Sequence, residues 1–95
     1  MSIDFIIHFH AKPHEQDSFA TLIEGVKQQL PLVDGCQQVM IYRNSSDPCR
    51  YTLVETWASK KHHTNNSKAM ISAGHWAHIV SHLEAPPVGD YHERV

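Results

Sequence analysis

The stretch GCQQVMIYRNSSDPCRYTLVETWASKKHHTNN (residues 35–66) decides the fold. A glycine opens an apolar run over residues 36–43. Asn44–Pro48 is a turn by composition, and Tyr51–Ala58 follows, rich in Thr, Val and aromatic side chains. Two β-favouring segments split by an Asn/Ser/Asp/Pro cluster read as strand, turn and strand. In the first, Val39 and Ile41 occupy one face while Met40 and Tyr42 occupy the other. In the second, Tyr51, Leu53, Glu55 and Trp57 share a face, because side chains alternate along a strand. Ser59 then stands where a helix wants its N-cap, since a serine hydroxyl accepts from a free N–H of the first turn.

Working outward, residues 3–11 alternate, with Ile3, Phe5, Ile7 and Phe9 on one side and Asp4, Ile6, His8 and His10 on the other. Period two predicts a strand between two different environments. Lys12-Pro13 ends it, and Phe19, Leu22, Ile23, Val26 and Leu30 follow at the spacings of an amphipathic helix that Pro31 and Gly35 stop. After Ser59 we expect a short helix over residues 60–65 and a second over 68–83, the latter carrying Trp76, Ile79, Val80 and Leu83 on one side. Pro86-Pro87 breaks that segment, and residues 88–93 supply a last strand. The order β-α-β-β-α-β is the ferredoxin-like α+β arrangement, which packs helices on one sheet face only. For the other face the reading gives Ile6, His8 and His10 from the first strand, with Val39 and Ile41, or Leu53 and Trp57, from the others. Such a face is too apolar to be left in water, so a second buried surface is expected.

Ninety-five residues make one domain, residues 1–95, with no room for a second core. A formal charge of −2 and a pI near 6.5 leave no electrostatic footprint for nucleic acid. Nine histidines against eight Lys plus Arg mean that the net charge changes sign as imidazoles protonate. The N-terminal residues lack a basic region followed by an apolar core, and no apolar run reaches the ~18 residues of a membrane span. A cytoplasmic protein is expected, with Cys36 and Cys49 as free thiols and Cys36 a small buried residue at a strand start.

The Gly-Cys strand, the polar turn, the Leu53-Val-Glu-Thr-Trp57-Ala-Ser59 segment entering a helix, Lys12-Pro13 upstream and Pro86-Pro87 downstream together resemble the antibiotic biosynthesis monooxygenase (ABM) family. The resemblance covers nearly the whole chain. It implies a homodimer whose sheets form a dimeric α/β barrel enclosing a lined cavity. It also implies a small-molecule partner and, in the monooxygenase branch, oxidation of an aromatic or quinol-like substrate by dioxygen with no cofactor. Other branches degrade haem or process a small carbonyl signal molecule, and a non-catalytic small-molecule or haem-binding dimer is the alternative of another class.

Candidate chemistry concentrates on imidazoles. His8 and His10 lie two apart on one strand and point the same way. His63, whose ordinary pKa suits proton abstraction near neutrality, is a third candidate base. His63 and Asn66 stand at i,i+3, hence on one helix face, and Asn66 can orient a carbonyl or hydroxyl. In the family's monooxygenases the tryptophan of Glu-x-Trp lines the pocket, which the resemblance carries to Trp57 as a flat apolar wall. Many members carry histidine where this chain has Asn66. Glu55 reads as a structural carboxylate. Ile41, Leu53, His75 and Trp76 complete the expected substrate contacts. Haem-degrading relatives place an axial histidine on the later helix, at His75 here, but also an Asn on the first strand and a Trp at position 66. This chain has neither, which disfavours haem degradation. His78 and His82 stand one helical turn apart, but no Glu follows His78 in the metalloprotease pattern and no thiolate has ligand spacing, so no metal site is assigned.

Overall fold

The computed structural model describes residues 2–95. Strand β1 (Ile3–His10) leads through a 3-10 turn at Pro13–Glu15 into helix α1 (Gln16–Gln29). A second 3-10 turn, Leu30–Leu32, precedes β2 (Cys36–Arg43) and β3 (Arg50–Trp57); helices α2 (Lys60–Ser72) and α3 (His75–Val80) and strand β4 (Val88–His92) complete the chain. The four strands form one antiparallel sheet in the order β2-β3-β1-β4. This is the ferredoxin-like α+β architecture expected above.

Local chemistry explains the joints. Asn44 Oδ1 accepts from the N–H groups of Ser46 and Asp47, and Asp47 Oδ1 accepts from that of Cys49, so two short side chains close the β2–β3 turn. Ser59 caps α2 by accepting from the His62 N–H at 3.2 Å. Gly35, at φ +84°, makes the left-handed turn into β2, and a Cβ there would collide with the His62 ring, so only glycine fits.

The helix after Ser59 differs from expectation. It runs unbroken through Asn65-Asn66-Ser67 to Ser72 and ends at Gly74, whose φ of +81° an L-residue rarely adopts. The polar triplet mimics a loop by composition but contains neither Gly nor Pro, so nothing there stops the hydrogen-bond ladder.

The core is built on the helix-facing side of the sheet. Ile7, Phe9, Tyr51 and Leu53 meet Phe19 and Ile23 of α1, Ile79 of α3 and Leu83 beyond it. The register settles which residues share that side: Ile7 lies opposite Leu53 and Leu53 opposite Ile41, whereas His8 lies opposite Thr52. The assignment of Val39, Ile41, Leu53 and Trp57 to the face of His8 and His10 is therefore corrected. Alternation fixes the two faces of each strand but not the phase between strands; pairing fixes that. The open face instead carries Ile6, His8, Met40, Tyr42, Val54 and Val88, with Tyr42 54% and Val88 70% exposed.

Candidate active site

Between the helices and the covered side of the sheet lies a cavity of about 680 Å³. Phe5, Ile7 and Leu53 form its sheet wall, Leu22 and Val26 of α1 one flank, and Met70 and Trp76 another. Glu55, His63, Asn66 and Ser67 bring polar atoms to it, with Gln29, His75 and His78 also on its lining. A largely apolar chamber with a few convergent polar groups is the usual form of a small-molecule site.

His63 is the most constrained of these groups. Its ring stacks on Phe5 at 4.0 Å between centroids, and the Trp57 and Tyr91 rings meet it edge-on at 5.5 and 5.3 Å. Nδ1 lies 2.7 Å from the Tyr91 hydroxyl, and Nε2 lies 3.4 Å from that of Ser67. Burial lowers its pKa below the ordinary imidazole value, because removing water penalises the charged ring. At neutral pH the ring is uncharged, with a lone pair on one nitrogen.

Glu55 stands on the sheet wall opposite Phe5, 7% exposed, and the fully buried Trp57 donates its indole N–H to Glu55 Oε1 at 3.0 Å. Burial pushes the Glu55 carboxyl up, and the Trp57 N–H opposes this only in part. Cys36 feels the same region, its thiol raised by burial first and by the Glu55 charge second.

Of the expected site residues, Leu53, His63, Asn66, His75 and Trp76 come together around this cavity. His8 and His10 do not. They point to the open face, where His8 Nδ1 lies 2.9 Å from the Thr52 hydroxyl. Ile41 packs against the core beside Leu53 without reaching the cavity, and Trp57 stands behind Glu55 and His63 as their support. His82 is tied to structure, with Nδ1 2.9 Å from the His78 carbonyl and Nε2 3.6 Å from Glu15. The sequence reading missed the α1 flank, Tyr91 and the place of Glu55 on the lining. The shared face of Leu53, Glu55 and Trp57 on one strand is the signal for the last of these.

The family model described as antibiotic biosynthesis monooxygenase matches residues 4–71, a span that includes α1, the β2–β3 hairpin and nearly all of β1 and α2. The chain belongs to the antibiotic biosynthesis monooxygenase family. Solved structures agree on the ABM fold. A crystal structure of an antibiotic biosynthesis monooxygenase superposes with a TM-score of 0.87 at 14% identity, covering 98% of both chains. A protein from Bordetella bronchiseptica, named as a candidate member of the same enzymes, gives 0.80 at 22% identity over 99% of this chain and 97% of its own. A conserved protein from Methanosarcina mazei Go1 gives 0.86 at 14% identity over 100% and 94%. At such identities the likeness speaks for the fold. No curated protein matches the chain.

Proposed function

We propose that this ABM-family protein is a monooxygenase acting on a small hydroxylated aromatic or quinol-like molecule, with His63 as its base. The observation that carries this is the neutral, aromatic-clamped imidazole on the lining of an apolar cavity large enough for a fused-ring ligand. Nε2 takes the phenolic proton, and the electron-rich ring carbon combines with dioxygen to give a peroxide. Loss of the ring C–H proton with cleavage of the O–O bond leaves a carbonyl on the ring and releases the second oxygen as water. Substrate plus dioxygen thus becomes quinone plus water, and no external reductant or added cofactor is required. Apolar walls keep bulk water from the intermediate, and Asn66 offers an amide N–H to its oxygen. His8 and His10 take no part in this reading.

The same proposal includes a homodimer formed through the open faces, where Met40, Tyr42 and Val88 leave apolar surface exposed. Support comes from the match to the family and from the exposure of these apolar side chains on one face of a small domain.

The test is oxygen uptake with a naphthohydroquinone in chelator-treated buffer, corrected for spontaneous oxidation. Catalysed uptake is expected, lower by about 10²–10⁴-fold in His63→Ala and unchanged in the His8→Ala/His10→Ala pair. No uptake above the blank, or an unaffected His63→Ala, refutes the reading. A Soret shift on haem titration would favour the binding-module alternative instead.

A further inference from the structure

We propose that Tyr91 is a positioning residue for His63, its oxygen accepting a hydrogen bond from Nδ1–H so that Nε2 remains the basic atom turned to the cavity. This rests on His63 acting as the base of the site.

Two hydroxyls flank the ring, one at each nitrogen. Ser67 lies one helical turn after His63 and on the cavity lining; among the described residues, its hydroxyl has His63 Nε2 as its one hydrogen-bond neighbour, at 3.4 Å. In the proposed arrangement the Ser67 hydroxyl donates to Nε2, which leaves Nε2 as the unprotonated nitrogen. The neutral ring then carries its proton on Nδ1, and that N–H donates to the Tyr91 oxygen at 2.7 Å. The tautomer of a histidine is set by the bond its other nitrogen makes. Tyr91 is half-buried on β4, an edge strand, so its own hydroxyl proton can reach water.

The two contacts are unequal, and the inequality suits catalysis. The long Ser67 contact is readily displaced by a substrate hydroxyl, whereas the short Tyr91 contact persists. When Nε2 takes a proton, the ring becomes a cation inside a largely apolar wall, and the Tyr91 oxygen is the partner that stabilises it through Nδ1–H. Tyr91 is itself held: Lys60 Nζ lies 5.0 Å from the centre of its ring, and Phe5 meets it edge-on at 5.2 Å. Among the described residues, the ionisable groups toward His63 are Tyr91 from β4, Glu55 from β3 on the same lining, and Lys60 above Tyr91, while β1 presents Phe5 to the ring.

The test is long-range ¹H–¹⁵N correlation NMR of the histidine rings, with His63 assigned by its loss in His63→Gln. In the wild-type protein the neutral ring should show a protonated Nδ1 and a bare Nε2. Tyr91→Phe keeps the ring and removes only the hydroxyl. It should shift the tautomer toward Nε2–H and move the His63 titration to lower pH, because the cation has lost its acceptor. Ser67→Ala should leave Nδ1 protonated. With the naphthohydroquinone assay, Tyr91→Phe should lower kcat about tenfold, the scale of one neutral hydrogen bond, leave KM unchanged, and carry the acid limb of the pH profile with it.

A wild-type ring protonated on Nε2 overturns the proposal. So does a Tyr91→Phe protein whose tautomer and titration match the wild type. The NMR outcome does not depend on turnover. The expected tautomers without any oxygen uptake would sustain the role of Tyr91 and remove the monooxygenase reading.

Discussion

Trp57→Phe tests the buried pair beneath the cavity. The indole N–H is the hydrogen-bond donor of Glu55 Oε1, and both residues are sealed from water. Phenylalanine keeps most of the aromatic volume but strands the carboxyl, which costs about 1–3 kcal/mol for an unsatisfied buried group. Losing the pyrrole portion of a fully buried ring adds about 1–2 kcal/mol, a fraction of the cost of truncating a whole tryptophan. The sum, about 2–5 kcal/mol, is a drop of about 8–40 °C in Tm for a domain this small. Size alone would also produce a loss, so the discriminating measurement is a double-mutant cycle with Glu55→Met, followed by urea denaturation and far-UV circular dichroism. Removing both partners leaves no stranded group, so the double variant should be more stable than the sum of single losses by about 1–3 kcal/mol. Additivity within about 0.5 kcal/mol would refute the claim that this bond holds the pair together.

Stability should also depend on pH in a way these groups sign. His63 has its folded pKa depressed from 6.5, so its contribution is present above that value and is lost as pH falls through the lower, folded one. Glu55 has its folded pKa raised from 4.5, so its contribution is full below that value and is lost as pH rises through the folded one. Between about pH 7 and pH 5 these two contributions run in opposite directions, so urea titrations are read as a difference: on acidification the wild type should lose stability relative to His63→Phe, which keeps the Glu55 contribution and lacks that of His63. Equal slopes in the two proteins would contradict the burial argument. Gly89→Ala places a Cβ 2.5 Å from Phe5 Cζ and 3.2 Å from Ile7 Cβ, so the Phe5 ring must move. Because that ring stacks on His63, we expect a loss of about 1–3 kcal/mol and shifted His63 ring resonances; a silent substitution would mean that the stack does not constrain the imidazole.

Much of the architecture was legible because local chemistry and tertiary structure agree. Alternation in β1, the 3–4 spacing of Phe19, Leu22, Ile23 and Val26, the Asx-type turn at Asn44–Pro48 and the Ser59 cap each name an element on their own. What failed were readings that needed a relation between elements. Leu53 and His8 each have two choices of face, and only the pairing of Ile7 with Leu53 and of His8 with Thr52 puts them on opposite sides. The site suffered from the same gap. His63 and Asn66 were legible through helical spacing, whereas Tyr91 is 28 residues from His63 and joins it only because β4 pairs with β1.

The histidines show why residue count is a poor guide to chemistry in this chain. Nine imidazoles are present, and the conspicuous pairs, His8 with His10 and His78 with His82, stand at spacings that invite a site. Yet His8 and His10 lie on the open face, and His82 spends one nitrogen on the His78 carbonyl and turns the other toward Glu15. A base must be neutral at working pH, must keep a lone pair toward the substrate, and must be held still while it reacts. Burial supplies the first condition for His63, and the Phe5, Trp57 and Tyr91 rings supply the third. The second depends on a hydroxyl on each side, one held short and one long. These conditions come from four different elements: β1 and β3 give the stacking walls, α2 the ring and its serine, and β4 the phenol. That dispersal is why a single imidazole with no histidine partner, rather than either conspicuous pair, is the residue on which the proposed chemistry depends.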